Sequence, residues 1–352
     1  MRLSAIALCL LLAACAAPLH WPESSASGAR AEQRTPSLIA QKLRAEARSL
    51  APLMQSALAR DFLAATASLP GVAARTVFVN PARSFFSRAG ADALTEKQRA
   101  ALKPVELDEY RYYYTKYGSP LAYVRAVELL SQQGIASFAG RRILDYGYGT
   151  VGHLRLFASL GADAVGVDVD SYVAALYSEA GDIGTVPGHR GGPPGTIKLV
   201  NGRYPGDKEV ARRVGGGFDI IISKNTLKRG YIKPARPAEQ RLLIQLGVSD
   251  EVFLRTISAA LRRGGIFLIY NIAPAPAPPN KPYIPWADAR SPFTQKQFEA
   301  AGLRVLAFDM NDDDFVRSMG RALGWHETEK RDDRGDDFSR NLFALYTIVV
   351  KI

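Results

Sequence analysis

The stretch from Arg142 to Asp170 constrains the fold of this chain more than any other. Arg142-Ile143-Leu144-Asp145-Tyr146 is an apolar run broken by an acid, and Gly147-Tyr148-Gly149-Thr150-Val151-Gly152 is a glycine-rich turn. Apolar residues at helical spacing follow from Val151 to Leu160, and Ala164 to Asp168 is a second apolar run that ends in acid. Strand, turn, helix and strand in that order open an α/β fold with a parallel sheet. Gly147 and Gly149 put no Cβ at the turn, so the backbone bends sharply and a ligand can lie against it. Open parallel sheets bind ligands in the crevice outside the carboxyl ends of their strands. Asp145 and Asp168 end two such strands and border that crevice, where a carboxylate suits a ribose diol.

Two cofactor classes compete for the turn. Gly147 to Gly152 fits the G-x-G-x-x-G of dinucleotide sites, which makes an NAD(P)-binding enzyme one reading. Asp145, two residues before Gly147, argues against it, because a carboxylate there repels a pyrophosphate and attracts a cationic sulfonium. With Asp145 included, Leu144-Asp145-Tyr146-Gly147-Tyr148-Gly149 resembles motif I of the class I S-adenosylmethionine-dependent methyltransferases, hydrophobic-Asp-x-Gly-x-Gly. The resemblance covers residues 141–352 and implies a Rossmann-like methyltransferase fold: an α/β domain with a mostly parallel seven-stranded sheet whose last strand is antiparallel. It implies S-adenosylmethionine as cofactor. Asp145, Tyr146, Gly147, Tyr148 and Gly149 would meet it at the first turn, Asp168 and Val169 after the second strand, and Asn201 after the third. The chain departs from the family at Val151, where a third glycine is usual, and has Asn201 as the only obvious partner for the adenine amino group.

The remaining pattern alternates as such a sheet requires. Strands are expected at Ile197 to Val200, Phe218 to Ser223, Ile266 to Ile272, Leu303 to Phe308 and Leu342 to Val350, with helices at Ser171 to Ala180, capped by Ser171, and Asp250 to Arg263, capped by Ser249. Gly181 to Gly195 reads as a loop. Methyl transfer is an in-line displacement governed by positioning, so the protein need encode no nucleophile. By the resemblance, the residues after the fourth strand, Ser223-Lys224-Asn225-Thr226-Leu227-Lys228, face the methyl group. Asn225 could orient an acceptor there, and Lys224 or Tyr231 could deprotonate or position it; the plainer reading is a turn at the end of a strand. No Asn-Pro-Pro-Tyr motif supports methylation of a nucleobase amine. Lys228, Arg229, Lys233 and Arg236 form a basic run that either attracts an anionic substrate or is a solvated face.

The amino-terminal end points elsewhere. Residues 1–15 read as a signal peptide with a lipobox, Leu12-Ala13-Ala14-Cys15, implying a lipid on Cys15; cleavage near Ala16 without lipid is the alternative. Ala16 after the cysteine resembles the outer-membrane form of the signal, so the expected location is the periplasmic face of a bacterial membrane. Residues 16–37 read as a flexible tether, and residues 38–140 as a helical extension before the methyltransferase-like domain. That extension carries Tyr110, Tyr112, Tyr113, Tyr114, Tyr117 and Tyr123; Tyr117 and Tyr123 are the better candidates for a pocket, and otherwise such residues pack with their hydroxyls at the surface.

Both cysteines, Cys9 and Cys15, lie in the signal, so the folded body has no thiol for disulfides, metals or nucleophilic catalysis. A chain with 47% hydrophobic residues must then rely on an apolar core. The net charge of +11 comes without a nucleic-acid motif. His20, His153, His189 and His326 lack metal-ligand spacing, and His153 is expected to pack or cap. Asp312-Asp313-Asp314 reads as a surface loop, as does the cluster Asp332, Asp333, Asp336 and Asp337. The signals conflict: the core suits adenosylmethionine, yet export removes it from the cytosolic supply. The expected function is a methyltransferase acting on a small or envelope-associated acceptor; the alternative is a non-catalytic lipoprotein that keeps the fold as an envelope scaffold.

Overall fold

The computed structural model describes residues 37–115, 118–325 and 341–352. The signal, the lipobox and nearly all of the tether lie outside the described residues, as do Tyr117, His326 and the second acidic cluster. Ser37, at the end of the expected tether, caps the first helix, Leu38–Leu50, its Oγ accepting from Ala40 N at 3.0 Å.

Eleven strands form two sheets among the described residues. The smaller sheet has the order β2-β1-β3, with β1 Arg75–Val79, β2 Phe85–Phe86 and β3 Lys103–Leu107, all antiparallel. The larger contains β4 Arg142–Tyr146, β5 Asp163–Asp168, β6 Gly184–Val186, β7 Gly195–Asn201, β8 Phe218–Lys224, β9 Leu261–Pro274, β10 Leu303–Asn311 and β11 Leu342–Lys351, in the order β10-β11-β9-β8-β4-β5-β7-β6. β7, β5, β4, β8 and β9 are mutually parallel, and β11 runs antiparallel to β9. This is the expected Rossmann-like methyltransferase sheet with one strand more. The addition is β6, a short antiparallel edge on β7 that forms inside the glycine- and proline-rich segment expected to be a loop.

Strand composition explains the order. β8 is buried at every residue, as befits an apolar run covered on both faces. The pleat sends alternate residues to opposite layers: Ile143, Ile220 and Ile222 join the core beneath the extension, while Leu144, Ile221 and Phe267 join a second core with Phe253, Ile257 and Phe298. Helices Leu38–Leu50, Ala57–Ala64 and Val124–Gln132 bury Leu43, Leu50, Phe62, Leu63 and Val127 in the first of these cores. Each such side chain contributes about 1.5–3 kcal/mol by leaving water.

The extension is thus part of the same hydrophobic body as the sheet, and it is not wholly helical: β3, which the sequence pattern missed, pairs with β1. Ser171 does not cap the helix Ser171–Leu176. Asp170 does, accepting from Tyr172 N at 2.9 Å, and Ser171 Oγ instead accepts from Phe85 N at 3.0 Å, joining β2 to the sheet domain. Asp312 is not on a surface loop but buried, gripped by Arg125 at 2.6 and 2.8 Å and by the Tyr270 hydroxyl at 3.1 Å. Among the described residues, no helix is long and apolar enough to cross a membrane.

Candidate functional site

The parallel registers bring the expected residues to one edge. Asp145 pairs with Gly166 and with Ile222, and Asp168 pairs with Asn201, so both acids stand at the carboxyl ends of neighbouring strands. Lys224 lies two residues beyond Ile222 and therefore projects to the same face as Asp145.

Asp145 is fully buried. Its Oδ2 accepts from the Tyr123 hydroxyl at 2.7 Å and lies 2.5 Å from His153 Nε2, while its Oδ1 has no partner. The Tyr123 and His153 rings stack with centroids 3.5 Å apart and planes 5° from parallel. The Lys224 ammonium is 5.3 Å from the Tyr123 ring centroid. Burial pushes the Lys224 amine down to about 8 although Asp145 opposes that shift. Burial also lowers the His153 imidazole below its ordinary value, again against Asp145, and raises the Tyr123 phenol well above its own. The result is a carboxylate held by a phenol and a neutral imidazole, with one oxygen left open in a dry setting.

The turn above is shaped by glycine. Gly147 has φ +79°, its N–H donates to Val167 O at 2.8 Å, and a Cβ there would strike the Thr226 side chain. Gly152, third in the fingerprint, serves packing: a Cβ would come within 2.8 Å of Pro120 in the extension. Asp168 accepts from Gly149 N at 3.1 Å and from Asp170 N at 2.9 Å, tying the turn after β4 to the turn after β5. Val169 beside it is exposed at 43%, an apolar side chain at the crevice.

Other expected site residues have structural duties. Tyr146 is buried edge-on against Phe253, and Tyr148 packs under the sheet near Tyr177 and Gly166, so only their backbones border the turn. Asn201 directs its amide nitrogen to Asp168 O at 3.0 Å, which shapes the acidic turn and leaves that nitrogen engaged away from an adenine. Asn225 adopts φ +63°, and its Oδ1 accepts from Ile272 N at 2.7 Å, so it closes the end of β8 onto β9. Tyr231 is buried in the short helix Arg229–Ile232, 5.7 Å from the Lys228 ammonium measured to its ring centroid.

The basic run is neither a substrate trap nor a solvated face for most of its length. Lys228 donates to Ile272 O at 2.5 Å and Trp286 O at 3.1 Å, Lys233 pairs with Asp250, and Arg236 donates to Pro279 O at 2.8 Å. These cations fasten the proline-rich segment after β9; Arg229 is exposed.

Sequence reasoning missed His153 as part of the site. The signal was a histidine flanked by the apolar Val151, Leu154, Leu156 and Phe157 of the first helix after the turn, where burial demands a partner. No group of acids and histidines among the described residues is arranged to hold a metal.

No protein-family model matches the chain, and no curated protein sequence matches it. Solved structures do resemble it. A phosphoethanolamine N-methyltransferase 2 of Haemonchus contortus, in complex with S-adenosyl-L-methionine, aligns at 14% identity with a TM-score of 0.39, over 79% of this chain and 67% of that one. An S-adenosylmethionine-dependent methyltransferase of Mesorhizobium loti aligns at 15% identity and TM-score 0.35, over 65% of this chain and 98% of that one. One of Geobacter sulfurreducens, in complex with S-adenosyl-L-homocysteine, aligns at 14% and 0.35, over 64% and 90%. The chemistry of the site therefore rests on its own geometry.

Proposed function

We propose that the chain is an S-adenosylmethionine-dependent methyltransferase whose cofactor lies across the turn Gly147–Gly149. The observation that carries this reading is Asp145 Oδ1, a buried acceptor without a partner beneath a turn whose two flanking side chains, Asp145 and Asp168, are both acidic. A buried acceptor left open is costly unless a ligand completes it, and a cation completes this one where a pyrophosphate would be repelled.

In this reading Asp145 meets the cationic amino-acid end, Asp168 the ribose, and Val169 lies against the base. The bound cofactor supplies the activated methyl group. Lys224, whose amine is partly neutral near pH 8, takes the proton that the acceptor loses, while Asn225 fixes the backbone beside it. The acceptor is a small or envelope-associated molecule, and a lipid on Cys15 would hold the enzyme at the periplasmic face of the membrane. One observation favours the non-catalytic scaffold as the second reading: Lys224 already places a cation near Asp145.

The test is calorimetric titration of the purified protein with adenosylmethionine, adenosylhomocysteine and NAD. Binding of the first two that Asp168→Ala removes supports the reading. A folded protein that binds none of them supports the scaffold, and tight binding of NAD alone overturns both.

A further inference from the structure

Tyr123 and His153 come from different parts of the chain, one from the extension just before Val124–Gln132, the other from the first turn of the helix after the glycine turn. Both direct a polar group at the same carboxylate oxygen, Asp145 Oδ2, at 2.7 and 2.5 Å, and their rings lie face to face at 3.5 Å. His153 Nδ1 has no partner. With Nε2 against a carboxylate and Nδ1 facing nothing, the proton of a neutral ring belongs on Nε2, which makes His153 a donor. Two donors on one oxygen fix the plane of the carboxylate and leave Oδ1 as its only open acceptor. Lys224 on β8 and Asp168 on β5, the strands on either side of β4, are the other charged groups that act on this cluster.

We propose that the stacked Tyr123–His153 pair is a positioning device: it occupies Asp145 Oδ2 so that Oδ1 alone is presented to the ammonium group of an amino-acid-bearing nucleoside. The inference rests on the methyltransferase reading and extends it, because it makes the extension part of the cofactor site. Neither residue touches the reacting atoms. Their effect is confined to the ammonium end of the ligand, and this gives the proposal a readout that a structural role would not move.

The experiment compares two ligands on the full chain. Adenosylhomocysteine carries the ammonium group, and methylthioadenosine has the same base, ribose and sulfur without it. Tyr123→Phe keeps the ring and its stack and loses only the hydroxyl; His153→Phe keeps a ring and loses both nitrogens. Each variant is expected to weaken adenosylhomocysteine about tenfold while methylthioadenosine stays within about twofold, the scale of one charge-assisted hydrogen bond. Equal weakening of both ligands, or of neither, overturns the inference and leaves the methyltransferase reading standing. Absence of binding by either ligand to folded wild-type protein overturns both. Should His153→Phe fail to fold, Tyr123→Phe decides alone.

Discussion

Asp182 lies where the extension meets the sheet domain. Its Oδ1 accepts from Arg75 Nη2 at 3.0 Å and the Tyr112 hydroxyl at 2.8 Å, and its Oδ2 accepts from Arg75 Nη1 at 2.7 Å and Glu179 N at 3.0 Å. Arg155 stands 3.9 Å away as a second cation. Asp145 is equally buried, yet holds two partners on one oxygen and none on the other. A buried carboxylate that exists to hold a fold is saturated, because an open lone pair in a dry interior costs stability. One that exists to hold a ligand is left incomplete. The two acids are therefore expected to fail differently when removed.

The largest effect falls on Asp182. Asp182→Ala leaves the largely buried Arg75 with only the exposed Glu179, 3.3 Å away, as counter-ion and should cost about 3 kcal/mol of stability, read as a lowered midpoint in urea, while ligand affinity of the protein that remains folded is unchanged. A small loss would mean that the seam between extension and sheet is held by its apolar contacts alone. Next is Lys224, on the incomplete side of the comparison. Methyl transfer should rise with pH through about 8 as the amine loses its proton. Lys224→Met should remove that limb and at least about a hundredfold of the rate, the usual contribution of a general base. A limb that persists in the variant would assign the proton transfer to another group. Smaller again is Asp145→Asn. It should weaken adenosylhomocysteine about tenfold and change stability by no more than about 1.5 kcal/mol, because in the proposed reading the ligand, not the fold, uses the open oxygen. A stability loss as large as that of Asp182→Ala would erase the distinction between the two acids.

The same contrast explains what was legible in the sequence. The β4 turn, β5 and the burial of β8 could be read because each is local: an apolar run, a glycine pair and an acid carry their meaning within a few residues. Asp145 and Asp168 were found for that reason. Tyr123 could be read as a pocket residue but not as the partner of Asp145, which it reaches across 22 residues, and Arg75 could not be read as the partner of Asp182, which it reaches across 107. Periodicity carries no record of such contacts. Lys228 and Arg236 read as free cations because main-chain carbonyls, the acceptors they use, leave no mark on a sequence. β3 was missed because Lys103-Pro104-Val105-Glu106-Leu107 lacks a strong strand composition and forms by pairing with β1.

The smallest expected effect separates an offset from a slope. Burial holds the His153 imidazole below its ordinary value of 6.5 in the folded protein. Between 6.5 and that lower folded value the unfolded chain binds more protons than the native one, so stability falls as the pH is lowered through this window. Above 6.5 both states are neutral at this ring and it adds no pH dependence. His153→Phe deletes the titrating group and one bond to Asp145. The lost bond should lower stability by about 1 kcal/mol at every pH, whereas the lost titration should flatten the acid limb. Unfolding curves of both proteins at neutral pH and at successively lower pH separate the two: a constant gap marks the bond, and a gap that closes on acidification marks the buried neutral imidazole. A gap that widens on acidification would mean that the native protein binds the ring's proton more tightly than the unfolded chain does, so that the ring is protonated beside Asp145. Asp145 would then face an imidazolium, and its open oxygen would have no use for a second cation.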